Sequence, residues 1–125
     1  MEIDYTLQTK KSFDEAVESV EAETGRAGFR VLYVHDVKET LSKKNFIIDP
    51  LKIIEICNAK NAYTAIQKDI NLALCLPCKI NVYVKNGKTY ISGMKPVIMK
   101  EIFINIDDLV DDVEKAIHTI VDNAK

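Results

Sequence analysis

Apolar and polar residues alternate along this chain with two different periods, and the switches between them divide it into elements. Residues 2–8 set Ile3, Tyr5 and Leu7 against Glu2, Asp4 and Thr6, the two-residue period of a half-buried strand. Ser12 stands three residues before Glu15, the arrangement of a capping box. Behind it Phe13, Ala16, Val17 and Val20 keep helical spacing until Gly25 or Gly28 supplies a stop. Residues 29–35 are rich in β-branched and aromatic side chains and predict a second strand. Val37 and Leu41, four apart, predict a short helix within residues 36–45, closed off by Pro50. Leu51–Cys57 is apolar enough for a buried strand, and Asn58 is a good cap for a helix over Ala59–Lys68. The inward face of that helix is predicted to be Ala62, Tyr63 and Ile66.

The firmest local signal comes next. Ile80, Val82 and Val84 alternate with Asn81, Tyr83 and Lys85, and Asn86-Gly87 follows at once. That dipeptide fits a two-residue type I′ hairpin, because both central residues tolerate positive φ. The turn pairs Val84 with Thr89, Tyr83 with Tyr90 and Val82 with Ile91. Pro96 ends the returning strand, and residues 97–102 predict at least one helical turn. Residues 107–123 form an amphipathic helix with Leu109, Val113, Ala116, Ile117 and Ile120 inward. Asp107, Asp108, Asp111 and Asp112 suit the positive end of its dipole and read as a solvated helix start. Strands near both ends of the core, with helices between and after them, predict an α+β domain. Its sheet is mostly antiparallel, with helices packed on one face. Residues 1–125 hold no repeat, low-complexity tract or linker, so a single domain is expected.

Composition narrows the function classes. The chain has 125 residues, 47% apolar and 29% charged, with a net charge of −2. Near-neutral charge argues against a nucleic-acid partner, which requires clustered Lys and Arg to displace phosphate counterions. Arg26 and Arg30 are the only arginines, so bidentate recognition of phosphate or carboxylate is scarce. Met1-Glu2-Ile3-Asp4-Tyr5 lacks a basic region followed by an apolar run, so no signal peptide is expected. Neither is a membrane span. Three cysteines make no disulfide framework, and a cytoplasmic location with reduced thiols is the expectation.

The reactive side chains gather in one stretch. Cys75-Leu76-Pro77-Cys78 has the spacing of a redox dithiol, but such a motif opens a helix, whereas Cys78 runs into the strand that follows. Cys57 and Cys78 are the better pair, one at the end of a strand and one at the start of another. Both are placed at one rim of the sheet, beside Asn58 and Pro77. A thiolate at a helix N-terminus is stabilised, which favours Cys57 as the nucleophile. Against this stands the ordinary role of a free cysteine as a small buried filler. No ligand spacing recurs with His35 or His118, so no metal site and no cofactor are expected. His35 is placed against the neighbouring Asp36, and His118 at the solvent edge of the last helix. Tyr83 and Tyr90 are expected on the sheet face away from the helices, with Asn81 and Ser92. That face serves a dimer contact or a ligand shelf, unless it is ordinary cross-strand packing.

Glu55-Ile56-Cys57-Asn58, then Ala62 and Asp69, then Leu76-Pro77-Cys78-Lys79-Ile80-Asn81-Val82-Tyr83, then Gly87 and Pro96, resemble the domain of unknown function 302 family. The resemblance covers most of the chain in order and spacing. It implies a compact α+β domain resembling TATA-binding-protein-like topology, and a homodimer; it implies no DNA binding and no reaction. Two departures stand out: Ala59 where the family has Pro, and Cys75 where an aliphatic residue is usual. The expected function is a small homodimeric, non-catalytic domain that binds a partner or a small-molecule ligand. The alternative is a thiol-based carrier of sulfur or electrons using Cys57 and Cys78.

Overall fold

The computed structural model describes residues 3–125; Glu2, placed in the first strand by its pattern, lies outside them. In chain order the elements are β1 (Asp4–Thr9), α1 (Phe13–Arg26), β2 (Arg30–Asp36), α2 (Val37–Ser42) and β3 (Leu51–Cys57). Then come α3 (Ala59–Lys68), a 3₁₀ helix (Ile70–Cys75), β4 (Cys78–Lys85), β5 (Lys88–Met94), a second 3₁₀ helix (Pro96–Glu101) and α4 (Asp107–Ala124). The five strands form one antiparallel sheet in the order β1-β5-β4-β3-β2. The architecture is α+β.

Local chemistry explains most boundaries. Ser12 caps α1 with both bonds of the box: its Oγ accepts from Glu15 N at 3.2 Å, and its own N–H donates to Glu15 Oε1 at 3.1 Å. The helix stops at Gly28, whose φ of +82° suits glycine. Gly28 N donates to Gly25 O, and Phe29 N to Thr24 O, the paired bonds of a Schellman ending. Asp36 caps α2 by accepting from Glu39 N at 3.0 Å. Asn86 and Gly87 have φ of 53° and 75°, as a type I′ turn needs, and Tyr83 pairs with Tyr90.

The alternation in β3, β4 and β5 decides where the core sits. Ile54, Ile56, Ile80, Val82 and Ile91 share the face covered by α1 and α4, and each is fully buried. Burial of each stabilises the fold by roughly 1.5–3 kcal/mol. Ala16, Val17 and Val20 of α1 meet Val113, Ile117 and Ile120 of α4 over this face. α4 buries more than its pattern predicts, adding Val110, Val121 and Ala124.

One predicted face is corrected. On α3 it is Ala65 that is buried, with Ala62 partly so, while Tyr63 is 67% and Ile66 37% exposed. The helix leans on a second, smaller core of Leu72, Ile106 and Val110. Small residues allow that close approach, and a tyrosine does not fit there.

Candidate functional site

Cys57 and Cys78 meet because β3 and β4 are antiparallel neighbours that end and begin at the same rim. Ile56 is the register partner of Cys78, so Cys57 lies one residue beyond that pair. The chain arrives at Cys78 from Cys75, the last residue of the first 3₁₀ helix, through Leu76 and Pro77. All three thiols are free and half-buried. They border one cavity of about 50 Å³, closed by Phe29, Leu72, Met99 and Val110. A second pocket of about 80 Å³ shares Cys75, Cys78 and Met99 with the first and adds Pro77 and Met94. A single water needs only roughly 10–15 Å³ of such space, so the first cavity has room for a few small groups.

Burial governs the chemistry of Cys78. Its thiol is pushed up to about 11 from the ordinary 9.0, first by burial and then by the neighbouring Cys57, with Lys79 pulling the other way and Cys75 adding to the rise. At neutral pH Cys78 is therefore held as the thiol. A protonated thiol is a weak nucleophile and a good apolar lining.

Asn58 holds the rim together. Its Oδ1 accepts from Asn61 N at 2.9 Å as the cap of α3, and its Nδ2 donates to Gly28 O at 3.0 Å. One side chain thereby ties the end of β3 to the turn that closes α1. Both ends of the amide are engaged.

The far face of the sheet carries the other predicted group. Tyr83 and Tyr90 stack at 5.3 Å between centroids and 20° between planes, both partly buried. Burial, then Asp4, raises the Tyr83 phenol. Asn81 and Ser92 are register partners, and Ser92 Oγ lies 2.6 Å from Thr6 Oγ1 on the next strand. Asn81 Oδ1 is buried without a hydrogen-bond partner. His35, whose predicted partner was Asp36, instead sets Nε2 3.4 Å from Glu55 Oε2, because Asp36 is occupied in capping α2. His118 is not at the solvent edge: it stacks on Tyr5 at 4.1 Å, and its Nε2 is buried.

The structure thus brings Cys57, Cys78, Asn58 and Pro77 to one rim and Tyr83, Tyr90, Asn81 and Ser92 to one sheet face. It does not unite the two groups, which lie on opposite sides of the sheet. Sequence reading missed Leu72, Met99 and Val110 as cavity walls, since each arrives from an element whose placement no local pattern encodes. Among the described residues no group of three or more His, Cys, Asp or Glu is arranged to hold a metal ion. No helix among them is long and apolar enough to cross a membrane.

These features define a small α+β domain with a thiol-lined apolar cavity at one end of its sheet. Residues 5–124 match the family described as domain of unknown function DUF302, and the chain belongs to it. It is similar to a solved structure described as an uncharacterized conserved protein DUF302 from Bacillus stearothermophilus, at 27% identity and a TM-score of 0.94 over 100% of both chains. No curated protein matches the sequence.

Proposed function

We propose that this protein is a non-catalytic homodimeric domain that holds a small apolar ligand in its cysteine-bordered cavity. The observation that carries this reading is the convergence of Cys57, Cys75 and Cys78 with Met99 on one cavity from separate elements. Its wall is apolar and weakly polar sulfur apart from two amides, the engaged side chain of Asn58 and that of Asn61. Such a wall recognises by shape and dispersion. The test is a titration with xenon, followed by methyl NMR. Saturable shifts at Leu72 and Val110, abolished in a cavity-filling Leu72→Phe variant, are the expected result. Shifts that never saturate, or that persist in the filled variant, would overturn the reading.

A second reading keeps a sulfur or electron carrier at this rim. It is supported by the closeness of Cys57 to Cys78 and by the position of Cys57 just before the cap of α3. It requires rapid alkylation of Cys57 at neutral pH in the native protein. Labelling that is slow at all three thiols until the protein unfolds would exclude it.

A further inference from the structure

The net charge of −2 conceals a separation of charge along the sheet. Thr9 pairs with Thr89, Val84 with Thr89, Leu51 with Tyr83 and Asp36 with Lys52, so five strand ends meet at one end of the sheet. Cys57 and Cys78 mark the other end. Exposed lysines gather at the first: Lys10 after β1, Lys85 and Lys88 beside the hairpin turn, and Lys38, Lys43 and Lys44 on α2 and the loop behind it. The carboxylates there are fewer. Asp36 and Glu15 are engaged in helix caps, Glu39 lies 3.8 Å from Lys43, and Asp14 and Asp49 are the others. Both arginines stand at the cysteine end, Arg26 closing α1 and Arg30 opening β2 opposite Cys57. α4 spans the two ends, from Val110 at the cysteine cavity to Ala124, whose carbonyl accepts from Lys11 Nζ at 2.8 Å. Its 18 residues hold Asp107 and Asp108 about 27 Å from that lysine end.

Two large apolar side chains stand among the lysines. In the loop of residues 43–50, Phe46 is 65% and Ile47 78% exposed. That loop is fastened at both ends. Asn45 takes a φ of 67° and Phe46 N donates to Leu41 O at 3.0 Å, while Val84 N donates to Pro50 O at 3.0 Å and ties the loop to the strand that leads into Lys85. A fixed tip that keeps adjacent Phe and Ile in water gains by moving them into an apolar phase.

We infer that this end of the sheet docks on an anionic lipid bilayer, with Phe46 and Ile47 entering the interface and the lysines lying over the headgroups. Side chains this exposed protrude, which suits a fluid apolar phase, and basic residues around them add attraction to anionic lipid. The type of cation favours the same occupant. Lysine is a hydrated point charge that serves mobile headgroups, whereas the forked geometry that reads one phosphate belongs to arginine, and both arginines are at the far end. The acidic start of α4 stands several Debye lengths of about 8 Å from the contact, so it escapes repulsion. Docking is therefore end-on, and it leaves the cysteine cavity facing water.

Docking of this kind is independent of the ligand reading and is tested by co-sedimentation of the full chain with vesicles. One set is phosphatidylcholine alone, and the other adds phosphatidylglycerol. The wild type is expected to pellet with the anionic vesicles, to be released by salt, and to stay in solution with the neutral ones. Lys44→Ala with Lys88→Ala should weaken binding about fivefold per lysine. Phe46→Ser with Ile47→Ser should weaken it about tenfold or more. Circular dichroism should be unchanged in both, because all four side chains are exposed. The chain has no tryptophan, so Phe46→Trp supplies a single reporter, whose emission should shift to the blue on anionic vesicles. Failure to bind those vesicles, binding that the four substitutions leave unchanged, or emission that stays as in water would each overturn docking. So would a wild type that takes up an oligonucleotide or an acidic protein in preference to the vesicles.

Discussion

Gly93 of β5 lies directly beneath Ile117 of α4, so close that a Cβ at position 93 would overlap Ile117 Cγ2 and touch Val121 Cγ2. Its φ is not in the left-handed region, so the glycine serves proximity and not conformation. The absence of a side chain lets the last helix settle onto the sheet edge formed by β5 and β1. Gly93→Ala is expected to destabilise by about 1–3 kcal/mol through overpacking. Ile117→Ala alone leaves a cavity and costs about 2–5 kcal/mol. Denaturant titration of the double variant should show a cost well below the sum of the two, because the second change relieves the clash. Strict additivity would mean that the helix rides up without strain.

The buried thiol of Cys78 makes stability depend on pH in the alkaline range. Its folded value of about 11 lies above the ordinary 9.0, so the unfolded chain loses this proton first as pH rises. The contribution is complete below pH 9 and is lost as pH climbs through 11. Lysines and tyrosines titrate in the same window, so the informative quantity is a difference between proteins. Wild-type stability, measured by urea unfolding, should fall more steeply between pH 9 and 11 than that of Cys78→Ala. Equal slopes would show that the thiol titrates normally in the fold.

Asn58 performs two separable tasks. Asn58→Ala removes both the cap of α3 and the bond to Gly28 O, and is expected to cost about 1–2 kcal/mol or more. Asn58→Asp keeps an oxygen for Asn61 N but has no donor for Gly28, so its cost isolates the tie across the rim. Loosening that tie should expose Cys57, read as faster alkylation in both variants. Unchanged labelling would show that α3 stays docked without the clip.

Tyr83 and Tyr90 answer to a double-mutant cycle. Their stacked geometry predicts a coupling energy of about 0.5–1.5 kcal/mol between Tyr83→Leu and Tyr90→Leu, measured by thermal or chemical unfolding. Sedimentation of the same variants tests the homodimer reading at this face: association weakened with the fold intact would assign the contact to it.

Elements that rest on nearest neighbours were legible in the chain itself. Ser12 and Glu15, Gly28, Asn58, and Asn86 with Gly87 each specify a cap, stop or turn through atoms a few residues apart. The two-residue alternation of β4 and β5 likewise set Tyr83 against Tyr90 and buried Val82 and Ile91 together. That Cys57 ends one strand and Cys78 begins another was equally legible; the antiparallel pairing of β3 with β4 is what puts those two ends on one rim.

The rest belongs to tertiary structure. Cys75 reaches the cavity because residues 70–75 wind into a 3₁₀ helix too short to leave a period in the sequence. Met99 and Val110 arrive from beyond the hairpin, and nothing local encodes where those segments land. The turn of α3 that faces inward was misread because hydrophobic size argued for Tyr63 and Ile66, whereas close packing selected Ala65. Periodicity reports which residues share a face; only the partner surface decides which face is covered. The same holds for Cys78. Its position was written in the chain, but its protonation is set by the burial that long-range packing creates.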